Sequence, residues 1–336
     1  SIQAIIYRAV NTTGVSGYAV RYVNISDIEK VFIYGRSGST WSQVANSIST
    51  PTSLENHAFG DISLSNDGNR VVFSKQYHNF IYDLDQSVYP QVWTKTGEIT
   101  EGDLMCRKMS GDGNRIVMGD WFGRVHLYEY SNGVWGQELT IPHDSSIGPV
   151  GKYHTASIDI SKDGQYIIAG YMPDSGMLLG GVTVYTINGS TFSKRGLTIN
   201  PQSAPFVVGK KVSISSDGTK ILTMKRVIPL IKFAYYEYES GSWIEHGPSV
   251  YQGTTNLLDL SLSGNGNNLL LLYADRFITN TPAKQTIEVG WEKVGSDIVR
   301  SAIFQLPNDT NPPPSTPGAR STPGGILHPS QLYYDL

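Results

Sequence analysis

The stretch ISLSNDGNRVVFS (62–74) places a polar Asn-Asp-Gly-Asn turn between two apolar runs. An alternating run, an Asp-Gly pair and a second apolar run are a hairpin signal. Glycine takes positive φ there, and the preceding Asp or Asn bonds to nearby backbone. Four more versions follow: KMSGDGNRIVMG (108–119), IDISKDGQYIIAG (158–170), VSISSDGTKILTM (212–224) and LSLSGNGNNLLLL (260–272). Their turn pairs are Asp67-Gly68, Asp112-Gly113, Asp163-Gly164, Asp217-Gly218 and Asn265-Gly266, separated by 45, 51, 54 and 48 residues.

A second element keeps the same period. VFIYGRSGSTWSQV (31–44), RVHLYEYSNGVWGQE (124–138) and FAYYEYESGSWIEHG (233–247) each join an aromatic strand through a polar turn to a strand opened by an aromatic. The aromatics are Trp41, Trp93, Trp135, Phe192, Trp243 and Trp291, so five of the six tryptophans share this slot, and glycine follows four residues later at Gly97, Gly196, Gly247 and Gly295. A large ring recurring in this way is predicted to pack between units.

Each unit therefore supplies about four short strands, and no amphipathic helix competes. Four-stranded units of this length predict an all-β, six-bladed β-propeller of four-stranded antiparallel blades over 1–306, with seven blades as the alternative. The run VRSAIFQL (299–306) is expected to supply an inner strand of the first sheet and so close the ring. Residues 307–325, rich in Pro, Ser, Thr and Gly, read as an extended linker, and 326–336 as a C-terminal docking or tether peptide.

The repeats FGDISLSNDGNRVVFS (59–74) and VFIYGRSGSTWSQV resemble those of the FG-GAP-like β-propeller family of microbial surface proteins, with similar proteins among the particle proteins of large algal DNA viruses. The resemblance implies a propeller and a surface or virion setting. Related repeats often bind calcium through spaced aspartates. Here Asp67, Asp112, Asp163 and Asp217 each stand alone before glycine, so that site is not implied.

Composition narrows the chemistry. With 26 basic and 29 acidic side chains, a formal net charge of −3 and no basic run, a nucleic-acid surface is not expected. A lone Cys106 excludes an internal disulfide. NLLLLYA (268–274) is too short to span a bilayer. No signal-peptide pattern opens the chain, and its start at Ser1 leaves room for a removed upstream segment.

The seven histidines show neither HxH nor HExxH spacing, and calcium would need more carboxylates than SNDGN offers. No metal, cofactor or catalytic residue is therefore assigned. Sequons begin at Asn11, Asn24, Asn188 and Asn308. Insertions on a repeat scaffold often mark a binding face, which singles out Met177, Leu178 and Leu179, with Leu332, Tyr333 and Tyr334 in the terminal peptide.

The expected function is a non-enzymatic structural or interaction module of an extracellular surface or virus particle, binding protein partners. The alternatives are a carbohydrate-binding propeller, and a hydrolase using acids such as Glu101, Asp103, Asp120, Asp144 and Asp174.

Overall fold

The computed structural model describes residues 7–10, 16–25, 28–37, 40–49, 59–75, 77–102, 104–174, 180–200, 206–227, 230–246, 256–274, 286–294 and 297–305. The fold is all-β, in six separate antiparallel sheets. The first holds β1 (Tyr7–Val10), β2 (Ser16–Ile25), β3 (Ile28–Ser37) and β4 (Thr40–Gln43), with the short β5 (Ile48–Ser49) beside β3. The other five are four-stranded meanders in chain order. They comprise β6 (Phe59–Leu64), β7 (Arg70–Lys75), β8 (His78–Asp85) and β9 (Val92–Thr100); then β10 (Leu104–Met109), β11 (Arg115–Asp120), β12 (Val125–Ser131) and β13 (Val134–Ile141). The fourth has β14 (Tyr153–Ile160), β15 (Tyr166–Pro173), β16 (Gly181–Asn188) and β17 (Thr191–Lys194). The fifth has β18 (Phe206–Ile214), β19 (Lys220–Val227), β20 (Leu230–Glu239) and β21 (Ser242–His246); the sixth has β22 (Asn256–Leu262), β23 (Asn268–Ala274), β24 (Thr286–Val294) and β25 (Asp297–Gln305).

Every Asp-Gly corner is built alike. Ser65 Oγ donates to Asp67 Oδ1 at 2.6 Å, the same oxygen accepts the Asn69 amide, and Gly68 has a φ of 71°. Ser110–Asp112, Ser161–Asp163, Ser215–Asp217 and Ser263–Asn265 repeat the bond. These side chains spend their oxygens on the turn itself. Neighbouring corners are stitched together as well: the Asn66 amide donates to Gly111 O, Asp112 to Lys162 O, and Ser216 to Gly264 O.

The second strands of the second and third sheets, β7 and β11, are buried along nearly their whole length because a neighbouring sheet covers each face. All four residues of β17, the last strand of the fourth sheet, are exposed. Five apolar clusters fill the gaps between successive sheets. Ile33 and Ile48 meet Val71 and Phe73 between the first and second, and Leu222 and Phe233 meet Leu260 and Leu269 between the fifth and sixth.

Trp93, Trp135 and Trp243 pack against three of these clusters, in the outer strands of their sheets. A Cβ on Gly97 would lie 2.6 Å from Trp135 Cδ1, and one on Gly196 would lie 3.1 Å from Trp243 Cδ1. Each ring thus covers the glycine of the preceding sheet. Trp93 and Trp243 also donate Nε1–H to Val44 O and Arg195 O. Gly97→Val is expected to lower stability by about 1–3 kcal/mol through overpacking, whereas Gly136→Val, whose Cβ would meet nothing within 4 Å, should change it little. Urea unfolding of both variants checks this.

The closed propeller is corrected by these observations. Among the described residues no sheet is closed or curled, and the six sheets stand as separate units, so the closed ring of six blades, or of seven, is not what the structure shows. The strand expected to close the ring, within 299–306, is β25. It pairs antiparallel with β24 along its length as the last strand of the sixth sheet, while β1 and β2 complete the first sheet. A hairpin partner three residues away in sequence captures β25 before a distant sheet edge can, because closing a short loop loses little entropy.

Candidate interaction site

A polar turn closed by several hydrogen bonds lies between β11 and β12, in the sequence GDWFGRVH (119–126). Asp120, 1% exposed, organises it. Its carboxylate accepts the amides of Phe122 (2.9 Å) and Arg124 (2.7 Å), accepts from Arg124 Nε (2.6 Å), and lies 3.1 Å from His126 Nε2. Burial alone would raise this carboxyl, but His126, the Arg124 amide and the Arg124 guanidinium hold it below the usual carboxylate range.

Gly123, at a φ of 75°, lets the turn lie on the fourth sheet. A Cβ there would stand 2.4 Å from His143 Nδ1. Pinned in this way, the turn holds Trp121 and Phe122 out in solvent, 46% and 43% exposed. The Trp121 indole stacks on His154 at the start of β14, with centroids 5.1 Å apart and planes at 9°, and His154 Nδ1 lies 3.0 Å from Asp174 Oδ1.

The segment leading into β14 is locked from below. Asp144, 4% exposed, accepts from the Ser146 amide and hydroxyl, from Thr183 (2.6 Å), from Thr198 (2.8 Å) and from Lys194 Nζ (2.5 Å). Burial opposes its ionisation, yet Lys194 and the three hydroxyls keep its carboxyl well below the ordinary range. His143 Nε2 lies 2.9 Å from Gly148 O. Tyr77 and Val150, 55% and 69% exposed, lie in the strand connections at this same end of the second to fourth sheets. The Asp-Gly corners occupy the opposite end.

The turn Asp and Asn residues are all engaged in their own corners. Trp93, Trp135, Phe192 and Trp243 lie in the outer strands of their sheets. For Trp41 and Trp291 the structure describes the strand position alone, as it does for the sequon residue Asn24; Asn188 is exposed at the β16–β17 turn. Asn11, Asn308, Asp103, Met177, Leu178, Leu179, Leu332, Tyr333 and Tyr334, like the linker and terminal peptide, lie outside the described residues. The remaining acids proposed for hydrolysis are engaged elsewhere: Asp120 and Asp144 in the networks above, Asp174 on His154, and Glu101 as acceptor of the Tyr128 hydroxyl. Trp121, the one tryptophan off the repeat period, was the available sequence signal for this site.

No family model matches the chain, and no characterised protein matches it in sequence. Among solved structures it is similar to a protein from Lactobacillus plantarum, at 13% identity and a TM-score of 0.58, over 90% of this chain and 85% of the other. It is also similar to the β-propeller domain of Cps50 (Swd1) from Myceliophteria thermophila, at 12% identity and a TM-score of 0.57, over 90% and 88%. A chain of a mitotic checkpoint complex matches at 12% identity and a TM-score of 0.55, over 90% and 80%.

These likenesses concern the fold alone. The FG-GAP-like resemblance is corrected: no family model supports it, and a 12% likeness to a propeller domain carries no FG-GAP repeat. The virus-particle setting rested on that resemblance and falls with it. Among the described residues no helix is long and apolar enough to cross a membrane.

Proposed function

We propose that the chain is a non-enzymatic module that binds a protein partner through the Trp121–Phe122 turn. The observation that carries this reading is a pair of large aromatics held outward by a buried carboxylate. Tryptophan is enriched at binding hot spots, and a turn already fixed loses little further entropy when a partner docks. Purification of the native complex followed by cross-linking mass spectrometry tests it. Lys152, near the aromatic end, should dominate the intermolecular cross-links over Lys162, which sits at an Asp-Gly corner. A protein recovered alone would remove the basis of the proposal.

A second reading rests on a separate observation. Tyr89, 99% exposed, stands beside a shallow cavity of about 660 Å³ lined by Gln43, Gln86, Ser87 and Gln91. An exposed ring beside side-chain amides suits a sugar, whose apolar face stacks while its hydroxyls pair. Saturation-transfer NMR against a panel of oligosaccharides should show a signal that Tyr89→Ala abolishes; a panel without any signal removes this reading.

A further inference from the structure

The fifth sheet carries a side-chain set that the repeat does not explain. Its last hairpin turns at Ser240-Gly241, both at positive φ (48° and 87°), which suits a two-residue connection. The resulting register pairs Glu239 with Ser242, Glu237 with Ile244 and Tyr235 with His246. Alternation then puts Tyr235, Glu237 and Glu239 on one face of β20, with His246 diagonal to Glu237 across the strand pair.

The side chains converge. His246 Nε2 lies 2.6 Å from Glu239 Oε1 and 3.8 Å from Glu237 Oε2. Ligand atoms of all three residues lie within 4.8 Å of one another, and among the described residues this is the one place where three such groups meet. The Tyr235 hydroxyl lies 2.9 Å from Glu237 Oε1 and 2.9 Å from Gly266 O, so that it stands beside one carboxylate oxygen while Oε2 is the one nearer the imidazole.

The corresponding acids of the second and third sheets are used differently. Asp83 and Glu129 are bound by Arg70 and Arg115 of the adjacent strand, whereas Lys220, in the same place in the fifth sheet, sends Nζ to Asn265 O and Asn267 Oδ1. Neither of those sheets brings a histidine to the face.

We propose that Glu237, Glu239 and His246 form a binding site for a divalent transition metal of the zinc class. One imidazole and two carboxylates are a ligand set that zinc accepts, with water in the remaining position. Donor atoms about 2.0–2.2 Å from a tetrahedral ion stand roughly 3.3–3.6 Å apart. The 2.6 Å and 3.8 Å separations lie on either side of that spacing. Glu239, with its side chain 49% exposed, has the freedom to adjust, while Glu237 and His246, 17% and 20% exposed, are fixed by the strand pair. The Tyr235 hydroxyl would be the outer partner that orients a ligating carboxylate.

Titration of the full chain with zinc chloride by calorimetry tests the site. The expected result is saturable 1:1 binding, a melting temperature raised by zinc, and affinity at least about ten-fold weaker in both His246→Ala and Glu239→Gln. Glu239→Gln, at a half-exposed position, keeps the test decisive if His246→Ala does not fold. No saturable uptake, or uptake unchanged by both substitutions, would overturn the proposal and leave His246 as a hydrogen-bond partner of Glu239.

Discussion

Alanine at Trp121 is expected to weaken the partner complex by about 2–4 kcal/mol, roughly 30- to 1,000-fold in Kd, while leaving the free protein folded. The size follows from position. Trp121 stacks one face on His154 and leaves nearly half its surface to solvent, so a partner covering it would desolvate a large ring already held in place. The effect on folding should be small, because the turn is closed by Asp120 through the Phe122 and Arg124 amides, which do not involve the indole. Titration of the purified partner against wild type and Trp121→Ala, with thermal melts of both, separates the two effects. Equal affinities would rule out the turn as the contact.

Asp144→Ala is expected to have the largest effect on stability, a loss of about 2–4 kcal/mol at neutral pH. The carboxylate is buried and accepts from two threonine hydroxyls, a serine and a lysine; removing it takes from the buried Thr183 hydroxyl its 2.6 Å acceptor and leaves Lys194 without its carboxylate. The Lys194 side chain is 41% exposed, so part of its attraction is screened and the loss falls below that of a fully buried pair.

The pH dependence has a definite sign. The folded-state pKa of Asp144 is depressed, so its contribution is complete above the unfolded value, near 4, and is lost as pH falls toward the folded one. Urea midpoints of wild type and Asp144→Ala should therefore differ fully at pH 7 and converge as the pH drops below about 4. A gap that stays constant into acid would show that the ionised carboxylate is not the source.

The all-β class and the repeating strands were legible because each unit carries its own turn chemistry. Ser-x-Asp-Gly closes on itself, so residues 62–74 fold in the same way wherever they stand. Ring closure was not legible, since it depends on which strand pairs with which across the chain. The 299–306 run is apolar enough to complete either sheet, and local pattern does not distinguish an adjacent hairpin partner from a distant one.

Trp121 was hidden by the strength of the repeat. Five tryptophans share a slot, and the departure of the sixth from the period is the signal that the sequence carries for this turn. Glu237, Glu239 and His246 lie within ten residues, but no His-x-His or His-Glu-x-x-His spacing marks them, and they meet through the β20–β21 register. The lone Asp-Gly acids accept from the serine two residues before them and so belong to their turns.

The central claim, that the Trp121–Phe122 turn is the contact surface, is tested most directly by a photoreactive benzoylphenylalanine placed singly at Phe122 or at Phe192. Both positions are exposed, the first on the aromatic turn and the second on outer strand β17. In the purified complex, irradiation should join the partner to the chain from position 122 and not from position 192. Cross-linking from 192 with none from 122 would contradict the account.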